Sequence, residues 1–241
     1  GFRTELINKI VGFNAHIIVK PYEKKIETKK IDQKLKSISK NLILSNSGEA
    51  IIIKRDTSKG ILLRGYKNDD FLKLKIFDNK SISPKKKILT KNYISIGKEL
   101  SFTLDLKIGD SVTLMSSAGM QTIIGNIPKQ KTFIVSSIFE SGLADFDNNI
   151  AFINLVTLEE FFNLNDNDRN LEIYLHNPQN IEFQKIVAQN NFQNEFIYTW
   201  SDLNNSLFSA LKVERNVMFI ILSLIIIVAA FNIISGLTIL V

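Results

Sequence analysis

VMFIILSLIIIVAAFNIISGLTILV, Val217–Val241, runs for 25 residues without a charge. A helix of that length reaches roughly 37 Å at about 1.5 Å per residue, against a hydrocarbon core of roughly 30 Å. The stretch therefore predicts a transmembrane helix. A buried core helix is the other reading, but apolar runs beyond about 18 residues argue against it. A signal peptide is ruled out by position, because the stretch lies at the wrong end of the sequence. Asn232, Ser235 and Gly236 fall on one helical face. Small and polar residues so grouped predict packing against other spans.

Reading outward, no Gly or Pro interrupts Asp202–Ser235. A single helix, capped by Ser201 or Asp202, is expected to run through Arg215 into the membrane. At the other end, Gly1–Gly12 places Phe2, Leu6, Ile7 and Ile10 at helical spacing. It is expected to be the polar continuation of an earlier span. The region between is then an insert joining two spans.

That region reads as mixed α and β. Ala15–Lys20, Glu49–Arg55, Ile61–Tyr66, Ser111–Ser116, Lys131–Glu140, Ile150–Leu155, Leu171–His176 and Glu195–Trp200 have strand character. A turn at Ser58-Lys59-Gly60 is expected to join the second and third. Ile31, Leu35 and Ile38, Ile96–Leu106, Thr157–Leu164 (capped by Thr157, with Glu160 three residues on) and Ile181–Gln189 have helical spacing. Ser81–Lys87 is a basic loop and a candidate boundary; Asp145–Asn149 reads as a polar loop. The expected fold class is α+β, followed by a transmembrane helix.

Composition removes several chemistries. There is no cysteine, so a disulfide framework, an iron–sulfur cluster, a cysteine nucleophile and a Cys-type zinc site are excluded. His16 and His176 are the only histidines; His16 sits among apolar residues and reads as structural. No GxxxxGK[ST] loop, GxGxxG turn or HExxH helix occurs, so no nucleotide-hydrolysing site is visible. Asp145 and Asp147 lack EF-hand spacing and read as a solvated turn. The formal net charge is +6, with arginine only at Arg3, Arg55, Arg64, Arg169 and Arg215. The lysine runs Lys24-Lys25, Lys29-Lys30 and Lys85–Lys87 are scattered and not interleaved with aromatics. They read as solvated faces, and no nucleic-acid partner is expected. No catalytic and no metal-binding residue is assigned.

One segment stands out. SAGMQTIIGNIPKQ, Ser117–Gln130, separates two strands that look like neighbours. Hairpin loops usually have about 2–5 residues, and much longer ones are usually functional or disordered. Met120, Ile123, Ile124 and Ile127 make this one apolar, while Gly119, Gly125 and Pro128 shape its backbone. Two arrangements fit: a projecting apolar patch, or a longer hairpin packed on its own domain.

Four segments together carry a resemblance. Gly1–Ile17, Ile96–Leu114, Gln121–Gly142 and Trp200–Leu237 resemble, in the same order, the LolC/LolE permease subunits of the lipoprotein-releasing ABC transporter. The last segment is the most specific. IGKEL…LKIGDSVTL is shared across the wider MacB-like permease superfamily. The resemblance implies a non-catalytic four-span permease with a large periplasmic domain after span one. It assigns 1–12 to the end of the first span, and 13–91 with 156–200 to a porter-like subdomain. It assigns 92–155 to an inserted, mostly β, Sabre-like subdomain, and 201–241 to a coupling helix and second span. The implied location is the bacterial inner membrane, with 13–200 in the periplasm. ATP and Mg would sit on a separate LolD-like ATPase, leaving no cofactor in this chain. The implied partners are a LolA-like carrier, a sister or identical permease subunit and an acylated lipoprotein. In LolC-type subunits a protruding β-hairpin, the hook, captures LolA. Met120, Thr122, Ile123, Ile124, Gly125, Ile127, Pro128, Lys129 and Gln130 fall at its position. Asn204–Arg215 would couple the two halves, and Phe219, Phe231 and Asn232 are candidates for the lipoprotein path. The alternative is a MacB/FtsX-like mechanotransmission permease, which has another partner and no carrier-docking hook.

Overall fold

A computed structural model describes residues 11–74, 88–122, 125–203, 217, 219–231 and 233, with 117–122, 125, 126 and 179 as backbone alone. The chain divides into two units between Trp200 and Ser201.

The first unit is organised by one strand. β1 is Ile17–Lys20 and β2 is Ser39–Lys54, a strand of 16 residues. β3 is Thr57–Tyr66, β4 Tyr93–Gly97, β5 Ser111–Thr122 and β6 Gly125–Phe139. β7 is Ile150–Asn154, β8 Asn170–Leu175 and β9 Phe196–Thr199. The first half of β2, Ser39–Ser45, pairs antiparallel with β8. Strands β9–β1–β8–β2 form a four-stranded sheet. The second half of β2 pairs with β3 from Asn46 onward and with β5 over Ala50–Ile53. The order β3–β7–β4–β6–β5–β2, closed by β2–β3, makes a six-stranded ring. Closing a sheet on itself removes its exposed edges.

The burial pattern shows where β2 changes cores. Ile43 and Ser45 are buried in the first half; Asn46, Ala50 and Ile52 are buried in the second. Faces alternate at every residue of a strand, so this switch from odd to even positions marks the crossing at Ser45–Asn46. Beyond it, Ile52, Ile61, Leu63, Ile94, Ile96, Leu114, Phe133 and Ile153 fill the ring. Below it lies an aromatic core around Tyr66, Phe71, Phe139, Phe146 and Phe152. The Phe152 ring lies 5.1 Å from both Phe71 and Phe139, within the range where aromatic pairs attract.

Two buried carboxylates clamp the crossing. Glu172 on β8 accepts from Ser45 at 2.7 Å, Tyr66 at 2.8 and 2.9 Å and Tyr174 at 2.7 Å. Burial, reinforced by the Glu172 carboxylate, pushes both phenols well above their ordinary range, so they remain donors. Glu159 accepts from Asn46 Nδ2 at 3.0 Å and takes a bidentate pair from Arg169 at 2.7 and 2.8 Å.

The helices close the cores. α1 is Gln33–Ile38, α2 Asn68–Phe71, α3 Lys98–Thr103 and α4 Ala144–Asn149. α5 is Leu155–Phe162, α6 Ile181–Asn191 and α7 Trp200–Leu203. The Asp32 carboxylate caps α1 by accepting the Leu35 N–H at 2.7 Å. Leu100 on α3, and Leu158 and Phe161 on α5, close the ring. α5 approaches β3 where a Cβ on Gly65 would come within 2.9 Å of Leu158 Cβ.

His16 gathers the two ends of this unit. Its Nε2 donates to the Val11 carbonyl at 2.9 Å, and its Nδ1 accepts the Leu175 N–H at 2.7 Å. These partners assign the neutral ring with its proton on Nε2. The His16 carbonyl accepts from Trp200 N–H at 2.9 Å. The helical residues 11–13 and the start of α7 therefore meet at one histidine, which is structural as expected.

Several expectations need correction. The β2–β3 turn is at Arg55-Asp56, since Lys54 pairs with Thr57. Arg55 takes the left-handed φ of 51° there, and Ser58, Lys59 and Gly60 lie inside β3. Residues 145–149 are helical, and Asp147 is buried; its carboxylate accepts the Ser141 N–H at 3.0 and 3.1 Å. α5 starts two residues early, capped by Asn154 instead of Thr157. The 96–106 helix covers only Lys98–Thr103, because Tyr93–Gly97 pairs as β4 with both β6 and β7. The 81–87 loop lies outside the described residues.

Within the second unit, residues 219–231 are helical. Phe219 is 71% exposed, Ile226 61% and Phe231 64%. A helix apolar on every side is suited to lipid or to a protein core. Among the described residues no helix is long and apolar enough to cross a membrane. The rest of the expected span lies outside them.

Two outcomes follow. A Cβ on Gly97 would fall 2.0 Å from the Asp147 carbonyl oxygen, whereas one on Gly60 meets nothing within 4 Å. Gly97→Ala is expected to cost about 3 kcal/mol, and Gly60→Ala less than about 0.5 kcal/mol, in urea unfolding. Tyr66 and Tyr174 hold their protons more tightly folded than unfolded. Their contribution is complete below about pH 10 and is lost as pH rises beyond it. Thermal unfolding against pH should show Tyr66→Phe less stable at neutral pH, with a flatter alkaline decline.

Candidate functional site

The segment expected as a long loop or a longer hairpin is a β-ribbon. β5 and β6 pair from Ser111↔Ile134 to Ser116↔Lys129, and again from Met120↔Ile127 to Thr122↔Gly125. Ile123 and Ile124, between the last pair, lie outside the described residues. The register shifts between Ser116 and Met120. Three residues of β5 there face Pro128 alone. Proline lacks the N–H that a ladder position donates, so a bulge is where a strand accepts it.

The ribbon leaves the ring at this point. β5 pairs with β2 only over Thr113–Ser116, and β6 with β4 only from Ile134 onward. Beyond these limits each strand has no second strand partner among the described residues. From Lys129 to Gly125 the ribbon extends about 13 Å at roughly 3.4 Å per residue.

The structure brings most of the expected hook residues together. Met120 faces Ile127 across the ribbon, and Thr122 faces Gly125. Ile127 is 49% exposed, and Pro128 and Gln130 are also exposed. Gln130 Nε2 lies 3.7 Å from Met115 Sδ. Lys129 differs from them: it is half-buried, and its ammonium donates to the Glu160 carbonyl at 2.7 Å and to Asn163 Oδ1. At the ribbon's base an open groove of about 730 Å³ is lined mainly by Ala50, Ile51, Ile61, Leu62, Met115 and Pro128. Sequence reasoning missed this groove because its walls come from five strands.

The other candidates stand apart. Phe219 and Phe231 are exposed on the helix of the second unit. Twelve residues separate them, which is about 120° around a helix, so no narrow stripe holds both. Asn232 and 204–216 lie outside the described residues. Among the described residues no three His, Cys, Asp or Glu side chains gather as a metal site needs.

No protein-family profile matches the chain. Over 144 residues it is 33% identical to the lipoprotein-releasing system transmembrane protein LolC of Xylella fastidiosa, covering 59% of this chain and 35% of that protein. The protein of the same name from Neisseria meningitidis is 28% identical over 204 residues, 83% of this chain and 47% of the relative. The one from Buchnera aphidicola is 27% identical over 250 residues, 99% and 60%. The chain thus spans between about a third and three fifths of these relatives. Among solved structures, the periplasmic region of MacB from Actinobacillus actinomycetemcomitans superposes with a TM-score of 0.48 at 9% identity, covering 84% of this chain and 97% of that one. The extracellular domain of the transporter YknZ gives 0.44 at 11% identity, covering 76% and 100%. By sequence, this chain is similar to proteins named lipoprotein-releasing system transmembrane protein LolC.

Proposed function

We propose that this chain is part of a non-catalytic permease subunit of an ATP-driven transporter in the bacterial inner membrane. The transporter extracts acylated lipoproteins, and the β5–β6 ribbon is the hook that docks a LolA-like periplasmic carrier. One observation carries the reading: the ribbon leaves the ring with no strand partner on its outer edges among the described residues, at the residues where the LolC pattern places the hook. The similarity to LolC proteins supports the same class. A LolD-like ATPase binds ATP and Mg and hydrolyses the ATP, and a sister or identical permease subunit completes the complex. The four-stranded sheet falls within the segments 13–91 and 156–200 expected to be porter-like, and the ring joins the strands of the expected Sabre-like segment 92–155 to the second half of β2 and β3 from the first of those segments. The meeting of residues 11–13 and α7 at His16 suits a periplasmic insert between two spans, the second being Val217–Val241.

The docking chemistry is apolar burial. Exposed Ile127 and Pro128 lose water when a carrier covers them, at roughly 1.5–3 kcal/mol gross per large side chain. Pro128 stiffens the ribbon at the bulge, so less freedom is lost on docking.

Ile124→Asp is expected to weaken carrier binding about tenfold or more, and Pro128→Ala severalfold, with the unfolding curve unchanged. Titration of labelled carrier against the purified protein checks both. Undiminished binding by both variants removes the hook and returns the chain to the mechanotransmission reading.

A further inference from the structure

We propose that Lys129 is a positioning residue that sets the direction of the ribbon by clipping β6 to the C-terminal end of α5. This rests on the docking reading for its consequence, though not for its geometry.

The clip lies where direction is decided. Ser116↔Lys129 is the last regular pair before the bulge, and a bulge is a local bend in a strand. Beyond it no neighbouring strand restrains the ribbon among the described residues. Side chains alternate along β6, so Pro128 borders the groove while Lys129 turns to the other side. There it meets the end of α5, whose last carbonyls have no partner within the helix and carry partial negative charge. Glu160 supplies one of those carbonyls. Asn163 ends the helix in the left-handed conformation, φ 57°, and its side-chain oxygen is the second acceptor.

The anchor itself is fixed. Leu158 and Phe161 of α5 lie in the ring core, and Glu159 is tied to Arg169 and to Asn46 at the β2 crossing. A lysine held there relays the position of the ring to the ribbon. Lys129 therefore acts on docking through orientation and does not contact the carrier.

This chain has no cysteine, so spin labels at Asn126→Cys and Ile108→Cys, in the full-length protein with any cysteine outside this chain replaced, give a clean distance distribution. It should be narrow in the parent, broad or displaced in Lys129→Met, and narrow again in Lys129→Arg. Asn163→Gly keeps the left-handed backbone while removing one acceptor, and should broaden it partly. Adding Lys129→Met to it should leave it no broader than Lys129→Met alone, as coupled partners require. Binding of purified LolA-type carrier should fall about two- to fivefold in Lys129→Met, the range open to an exposed polar contact. An unchanged distribution in Lys129→Met overturns the clip. So does loss of binding with the distribution unchanged, which would make Lys129 a direct contact. Broadening in a protein that binds no carrier at all supports the clip and rejects the docking reading.

Discussion

A single strand serves two sheets, and the rest of the structure depends on where it crosses. β2 has its inward face on odd residues up to Ser45 and on even residues from Asn46. A slip of one position would turn Ile43 and Ile52 out of their cores together. Apolar packing alone tolerates such slips better than directed bonds do. The crossing is held instead by Glu172 on Ser45 and Glu159 on Asn46. Each carboxylate is buried and accepts hydrogen bonds at both oxygens, from phenols in one case and from a guanidinium in the other. Removing one partner of such a group strands the rest without water, which is why buried networks specify position strongly.

The ribbon inherits its place from that crossing. β5 joins β2 immediately beyond it, over Ala50–Ile53, and its pairing with β2 ends where the ribbon departs. α5 carries Glu159 on one turn and receives Lys129 at its end. The same short helix thus touches the crossing, the ring core and the ribbon's base. At the far side of the four-stranded sheet, His16 holds Val11, Leu175 and Trp200 together. Entry, exit and the four-stranded sheet are fixed by one residue, through its ring and its carbonyl, while the projecting element is fixed by another set.

Sequence patterns revealed eight of the nine described strands at least in part and several helices, because apolar spacing reports burial directly, but missed β4 and the first half of β2. The turn at Arg55-Asp56 was hidden by Gly60, which invites a turn but sits in open space inside β3. The helix at 144–149 was hidden by its Asp and Asn content, which normally marks solvated loops; Asp147 is buried because the Ser141 N–H meets it. The ribbon was split in two by Gly and Pro that belong to a bulge. Glu172 in LEIYLH was the one available sign of the clamp. A carboxylate in a strand buried on both faces needs partners, but Ser45, Tyr66 and Tyr174 lie far apart in sequence. The groove left no sequence signal, since no local spacing encodes walls from five strands.

The central claim is that the ribbon tip meets a carrier outside this chain. A photo-crosslinking residue in place of Ile127, in the full-length protein within intact envelopes, tests it most directly. The account predicts one main adduct, the LolA-type carrier, diminished when excess unlabelled carrier is added. An adduct only with lipoprotein or the sister permease, or only within the chain itself, would contradict it.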